Sequence, residues 1–209
     1  MARQGELFGV AGHGAPGTPG AEHRLERHQL LSWQQRVAAF QKPLFDAEPE
    51  PASQPSLFAA PALTPAPAEA PISGAEASAT RLQPLSLQPQ SLLFWRWPEP
   101  PQTGAALYLV VDQEPSLPGP LLLYVGETGE ASRRWKGTHD CKSYLEAYGE
   151  ALSHTGLPSR LSIRFWLDVP QAIRPRRALE QALIRRWQPP FNKETRGRWA
   201  TPFTAEAGT

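Results

Sequence analysis

Proline sets the first limit on what this chain can fold into. Of its 24 prolines, 15 precede Gly104; each removes a backbone donor and fixes φ, so the densest stretches resist regular structure. Asp46 to Gln90 is mostly Pro, Ala, Ser, Glu and Gln, a composition that cannot bury enough apolar surface to offset its ordering entropy. Gly9 to Gly20 is a second such tract, rich in Gly, Ala and Pro. Charge divides the chain at the same place. Seven Lys or Arg face nine Asp or Glu before Gly104, and 14 face 11 from Gly104 onward. The expected organisation is a disordered Pro/Ala-rich arm over 1–91, a folded domain over 92–199 and a flexible tail over 200–209.

Several classes are excluded by what the sequence lacks. No run reaches the roughly 18 apolar residues of a membrane span, and MARQGELFGV has no apolar core of a secretory signal. Cys141 is the single cysteine, so no internal disulfide forms, and with five scattered histidines it cannot build a zinc site. A soluble protein of the reducing cytoplasm, with no membrane partner, is expected.

The second half carries periodic apolar runs. Ala105 to Val111 and Leu121 to Val125 read as two strands, the second ended by Gly126, joined by a proline-bearing loop. Ser143 with Glu146 three residues on has the form of a capping box, with Leu145, Tyr148 and Leu152 on one helical face and Gly156 as a stop. Leu161, Ile163, Phe165 and Leu167 alternate with Ser162, Arg164 and Trp166, the period of a half-buried strand. Pro175 opens a second helix with Leu179, Leu183 and Trp187 on one stripe, and Pro189-Pro190 stops it. The order β-β-α-β-α implies a small α/β (α+β) domain, a three-stranded antiparallel sheet flanked by helices.

Polar residues recur at set places on these elements. They are Tyr108 on the first strand, Tyr124-Val125-Gly126 on the second, Arg134 eight residues past Gly126, His139, Glu180 before Leu183-Ile184, and Pro190-Phe191-Asn192. In that order they resemble the GIY-YIG nuclease family, over about Gly104 to Asn192. Leu107-Tyr108 stands where the family has Ile-Tyr, and Tyr124-Val125-Gly126 where it has Tyr-Ile-Gly. The resemblance implies a catalytic set of Tyr108, Tyr124, Arg134, His139, Glu180 and Asn192. It further implies one divalent ion, Mg2+ or Mn2+, held by Glu180. Either tyrosine can position or deprotonate water, and either Arg133 or Arg134 can face the site.

The chemistry of phosphodiester hydrolysis asks for such groups. A metal acts as Lewis acid and needs a carboxylate to hold it. An arginine fork donates to the phosphoryl oxygens in the transition state. A tyrosine with a pKa near 10 is a poor base unless nearby positive charge lowers it. From Arg174 to Arg198 there are eight basic residues against Glu180 and Glu194, with Trp187 and Trp199 interleaved, which suits a polyanionic partner. Arg133, Lys136, Arg176, Arg177, Arg185 and Arg186 are the DNA-binding candidates.

The first half holds a short motif. All four Leu-Phe pairs of the chain, at 7–8, 44–45, 57–58 and 93–94, follow a glutamine placed three positions before the leucine. These Gln-x-x-Leu-Phe segments resemble the peptides with which DNA-processing enzymes bind the replication sliding clamp. Gln90, Leu93, Phe94, Gln54, Leu57 and Phe58 are the candidate contacts; the alternatives are docking of the pairs on the chain's own folded domain and a drifted repeat with no partner. Leu30, Trp33, Val37 and Phe40 fall at helical spacing within 22–40, an amphipathic helix for a partner or for the core. The expected function is a metal-dependent DNA endonuclease of repair, recombination or branched-DNA processing. The rival is a non-catalytic DNA-binding adaptor whose arm recruits a clamp.

Overall fold

The computed structural model describes residues 25–47, 74–92, 102–131 and 140–203. Its centre is a three-stranded antiparallel sheet of β1 (Ala106–Asp112), β2 (Leu121–Thr128) and β3 (Leu161–Trp166), in the order β2-β1-β3. All seven residues of β1 are buried, because each face of the sheet carries its own helical layer. Tyr108 and Val110 point into one layer, with α1 (Arg27–Asp46) and α3 (Asp140–Thr155). Leu107, Leu109 and Val111 point into the other, with α2 (Gly74–Arg81) and α4 (Ile173–Trp187). The strand alternation thus feeds two cores, and the expected sheet flanked by helices is what the chain forms. No helix among the described residues is long and apolar enough to cross a membrane.

The boundary expected at residue 92 moves toward the N-terminus. Leu30, Trp33, Val37 and Ala38 of α1 are completely buried, so this amphipathic helix docks on the core. It begins with a capping box: Glu26 takes the backbone of Gln29, and the Gln29 side chain accepts the Glu26 N–H at 2.8 Å. α2 lies on α4, and the backbone of Gln90 pairs with Ile163 at the outer edge of β3. The C-terminal boundary moves as well, since Phe203 packs on Trp33, Tyr148 and Phe191.

Three local expectations change. β3 is not half-buried: Ser162 and Arg164 are buried too, because the chain around Leu85 and Leu87 crosses it and its carbonyls accept from the Arg164 guanidinium. Leu167, expected on the apolar face, lies beyond the strand and is exposed. Ser143 lies inside α3 rather than capping it. The stop at Gly156 is seen, with φ +62 just past the helix.

Copies of the glutamine motif meet both edges of the sheet. Gln41, fully buried, donates to the carbonyls of Leu122 and Trp187 and accepts the Leu122 N–H at 2.8 Å. Its primary amide copies the two-bond pairing of a neighbouring strand and closes the β2 edge. Phe45 of the same copy packs on Trp187 at 4.6 Å between ring centroids. The copy at 41–45 is therefore part of the core. In the copy at 90–94, Gln90 is spent on β3 through its backbone, and Leu93 and Phe94 lie outside the described residues, as do Gln54, Leu57 and Phe58.

Candidate active site

Strand register builds the first part of the site. Tyr108 of β1 pairs with Gly126 of β2, and Val110 pairs with Tyr124, so the tyrosines are diagonal neighbours on one face. Their rings lie 5.9 Å apart between centroids and 29° from parallel. To reach that position the Tyr108 ring crosses the backbone of Gly126, where an added Cβ would come within 2.8 Å of its Cε2. Glycine two residues after Tyr124 is therefore a steric requirement of the tyrosine pair. It does not end the strand, which continues to Thr128.

The two tyrosines are not equivalent. Tyr108 is completely buried, whereas Tyr124 is half-buried and lines a cleft of about 160 Å³ together with Glu180, Tyr144, Lys193 and Arg196. The Tyr124 phenol is pushed above its ordinary pKa, first by burial and then by Tyr108, to which it is hydrogen-bonded. It keeps its proton and acts as a hydrogen-bonding group.

Glu180 enters the cleft from α4. Its carboxyl is pushed up to about 7, by burial first and by the Glu127 carboxylate second; the Glu127 backbone N–H pulls the other way, Glu194 adds repulsion, and Arg177 offsets a little. A half-buried carboxyl raised in this way has little positive charge beside it. Glu127 itself is compensated. Arg176 Nε donates to one of its oxygens at 2.8 Å and Arg177 Nε to the other at 3.2 Å. That clasp ties the first turn of α4 to β2, one turn before Glu180.

Asn192 lines the same cleft, and the remaining candidates take different places. Asn192 is buried, and its amide is spent on Val125: Oδ1 accepts the N–H at 2.9 Å and Nδ2 donates to the carbonyl at 2.7 Å. It pairs with the β2 edge as Gln41 does, between Tyr124 and Gly126, and is a positioning residue rather than a catalytic one. Arg176 does not face DNA; it is 3 % exposed and bonded to Glu127, Pro170 O and Gln171 O. Arg177 is exposed but paired with Glu127. Arg185 and Arg186 line a separate hollow with Leu44 and α2, where Arg185 lies 3.5 Å from Glu76. Arg133, Arg134, Lys136 and His139 lie outside the described residues.

Four residues of the site escaped the sequence reading. Glu127 directly follows Gly126, and nothing in its spacing marks it as the partner of Arg176. Tyr144 sits on α3 with its ring stacked on Phe191, 17° from parallel. Arg196 donates to the Tyr144 hydroxyl from the short helix α5 (Arg196–Trp199), and Lys193 lines the same cleft. The chain matches no family model, no curated protein and no solved structure.

Proposed function

We propose that this chain is a metal-dependent DNA endonuclease that hydrolyses phosphodiester bonds, with branched or damaged DNA in repair or recombination as its substrate. One observation carries the reading. Tyr124 from β2 and Glu180 from α4 converge on a single small cleft rimmed by Lys193, Glu194 and Arg196, where burial and the Glu127 carboxylate push the Glu180 carboxyl up against only a small offset from Arg177. At about 160 Å³ the cleft lies below the roughly 300–1,000 Å³ of small-molecule sites. It suits a phosphodiester group better than a whole nucleotide.

The donor set fits a hard divalent cation such as Mg2+ or Mn2+, which takes one or two protein carboxylates and fills its shell with water and phosphate oxygens. Glu180 would hold it, and the ion would supply Lewis-acid stabilisation of the phosphoryl oxygens and leaving alkoxide. Tyr124, keeping its proton, orients water or a phosphoryl oxygen by hydrogen bonding. Tyr108 fixes the Tyr124 ring, and Asn192 fixes the strand that bears it. The Arg176–Glu127–Arg177 clasp fixes the helix that bears Glu180. The sliding clamp is the proposed partner of the copies at 4–8, 54–58 and 90–94, whereas the copy at 41–45 is consumed by the fold through Gln41 and Phe45.

The test is nicking of supercoiled and branched DNA by the full chain with magnesium or manganese, against EDTA and Glu180→Gln. Cleavage should need the metal and fall at least about 100-fold in the variant. Equal cleavage by the variant sinks the assignment of Glu180. DNA binding with no cutting on any substrate would favour the adaptor reading.

A further inference from the structure

The chain turns sharply after α4. Gln188 adopts a left-handed conformation at φ 48 and Pro189-Pro190 prevents the helix from continuing. Phe191 N–H then bonds to the Leu123 carbonyl at 3.0 Å, and Asn192 seats on Val125. The Asn192 carbonyl receives the N–H groups of Thr195 and Arg196, which starts α5. This turn of helix is pinned at its far end by Trp199, whose Nε1 donates to Gln188 O at 2.7 Å.

The pinned turn lies against α1. The Trp199 ring meets Phe40 at 5.7 Å, the Arg198 guanidinium sits 4.6 Å over the Phe40 ring, and Arg36, one turn before Phe40, donates to the Trp199 carbonyl at 3.4 Å. α1 and α5 thus bring Arg36 and Arg198 side by side, both exposed. Two residues before Arg198, Arg196 reaches into the cleft, and exposed Lys193 lies on its rim. Arg36, Arg198 and Lys193 form no ion pair among the described residues. Glu194, the acid of this strip, is held by Gln181 at 3.0 Å.

We propose that Lys193, Arg196, Arg198 and Arg36 form a phosphate track that leads a nucleic-acid strand from the cleft across α5 onto α1. The proposal rests on the nuclease reading for the direction of the strand, and on geometry alone for the charge. It places the polyanion surface on α5 and α1 rather than on α4, where Arg176 and Arg177 are spent on Glu127 and Arg185 faces Glu76. It also gives α1 a role in substrate binding. Held on a backbone carbonyl and on the Phe40 ring respectively, the Arg36 and Arg198 guanidiniums keep donors for phosphate oxygens.

The test is fluorescence anisotropy of a labelled branched duplex with the full chain in EDTA, over a salt series. The variants are Arg36→Ala/Arg198→Ala and, for comparison, Arg185→Ala/Arg186→Ala, on the separate hollow beside α2. Because phosphate contacts release counterions at about 0.9 per contact, the first pair should weaken binding about tenfold at low salt and cut the salt slope by about two. The comparison pair should bind within about twofold of wild type. Thermal midpoints separate loss of contacts from loss of fold; an unfolded first pair is replaced by Arg36→Gln/Arg198→Gln. Wild-type affinity and slope in the folded Arg36/Arg198 variant would overturn the track. If wild type binds but never cuts, the nuclease reading fails while a weakened Arg36/Arg198 variant still supports the track. If wild type does not bind at all, the track falls.

Discussion

Asp112 and Glu180 are both acids taken out of water by the same small sheet, and their surroundings differ. Asp112 closes the C-terminal end of β1, completely buried. Its Oδ1 accepts the Arg160 N–H at 2.7 Å and its Oδ2 the Tyr148 O–H at 3.0 Å, and Gln34 of α1 donates to the Tyr148 oxygen at 2.7 Å. Glu180 lies by Glu127, the residue paired with Leu107 toward the other end of β1. It has one backbone donor, two acids that repel it and one arginine that helps a little. Burial pushes both carboxyls up. At the Asp112 end a closed network from four chain segments offsets part of that cost. At the Glu180 end the cost stands open to a cleft, the setting that suits the cation proposed there.

The closed end should break hardest. Trp33 of α1 fills it, 5.8 Å from the Tyr148 ring, 6.2 Å from Phe191 and 5.2 Å from Phe203. Trp33→Ala should therefore cost about 3–5 kcal/mol in urea unfolding; a loss under about 1 kcal/mol would show α1 to be an attachment rather than part of the core. Residues 92–209 alone, lacking α1 and α2, should not unfold cooperatively on heating, whereas 25–209 should.

Asp112→Ala comes next. It strands the Tyr148 hydroxyl and the Arg160 N–H, at about 1–3 kcal/mol for each unsatisfied group. Asp112→Asn keeps an acceptor and should cost about 1 kcal/mol. The pH dependence has a definite sign. The folded pKa of Asp112 is raised above 3.8, so the native state holds the proton more tightly than the unfolded chain. The stability contributed by Asp112 is whole below its unfolded pKa and falls as pH rises through the folded one. The advantage of wild type over Asp112→Asn in thermal midpoint should be larger at pH 4 than at pH 7.

The sequence displays the open end better than the closed one. Tyr108, Tyr124, Gly126 and Glu180 are legible through the resemblance of their order to a known family, and strand register then turns the spacing of the two tyrosines into contact. Arg176 misleads when basic residues are only counted. It stands three positions before Leu179, on the stripe that buries, and that spacing was the available signal. Gln41 stands four after Val37 on the buried stripe of α1, so it too could be separated from a free peptide motif. The Asp112–Tyr148–Gln34 chain was not legible, because its members lie on separate elements and no local period relates them. The same holds for Arg36 and Arg198, which α5 brings together across 162 positions of chain.

The smallest expected effect separates the two ends most sharply, because its sign reverses. Replacing an acid in a satisfied network removes stability; replacing one that is poorly compensated should add it. Glu180→Gln keeps the shape and the acceptor for the Glu127 N–H but removes the charge that burial, Glu127 and Glu194 oppose. With a folded pKa near 7 against the ordinary 4.5, the stability that Glu180 contributes is whole below about 4.5 and is lost as pH rises toward 7. In EDTA at pH 8 the variant should therefore be more stable than wild type by about 1 kcal/mol, and the gap should close by pH 4.5. Adding magnesium should narrow the gap at pH 8 from the other side, by stabilising wild type and leaving the variant unchanged. A variant less stable than wild type at pH 8 without metal would place Glu180 with Asp112, as a carboxylate the fold relies on, and the cleft would lose its claim to be a site.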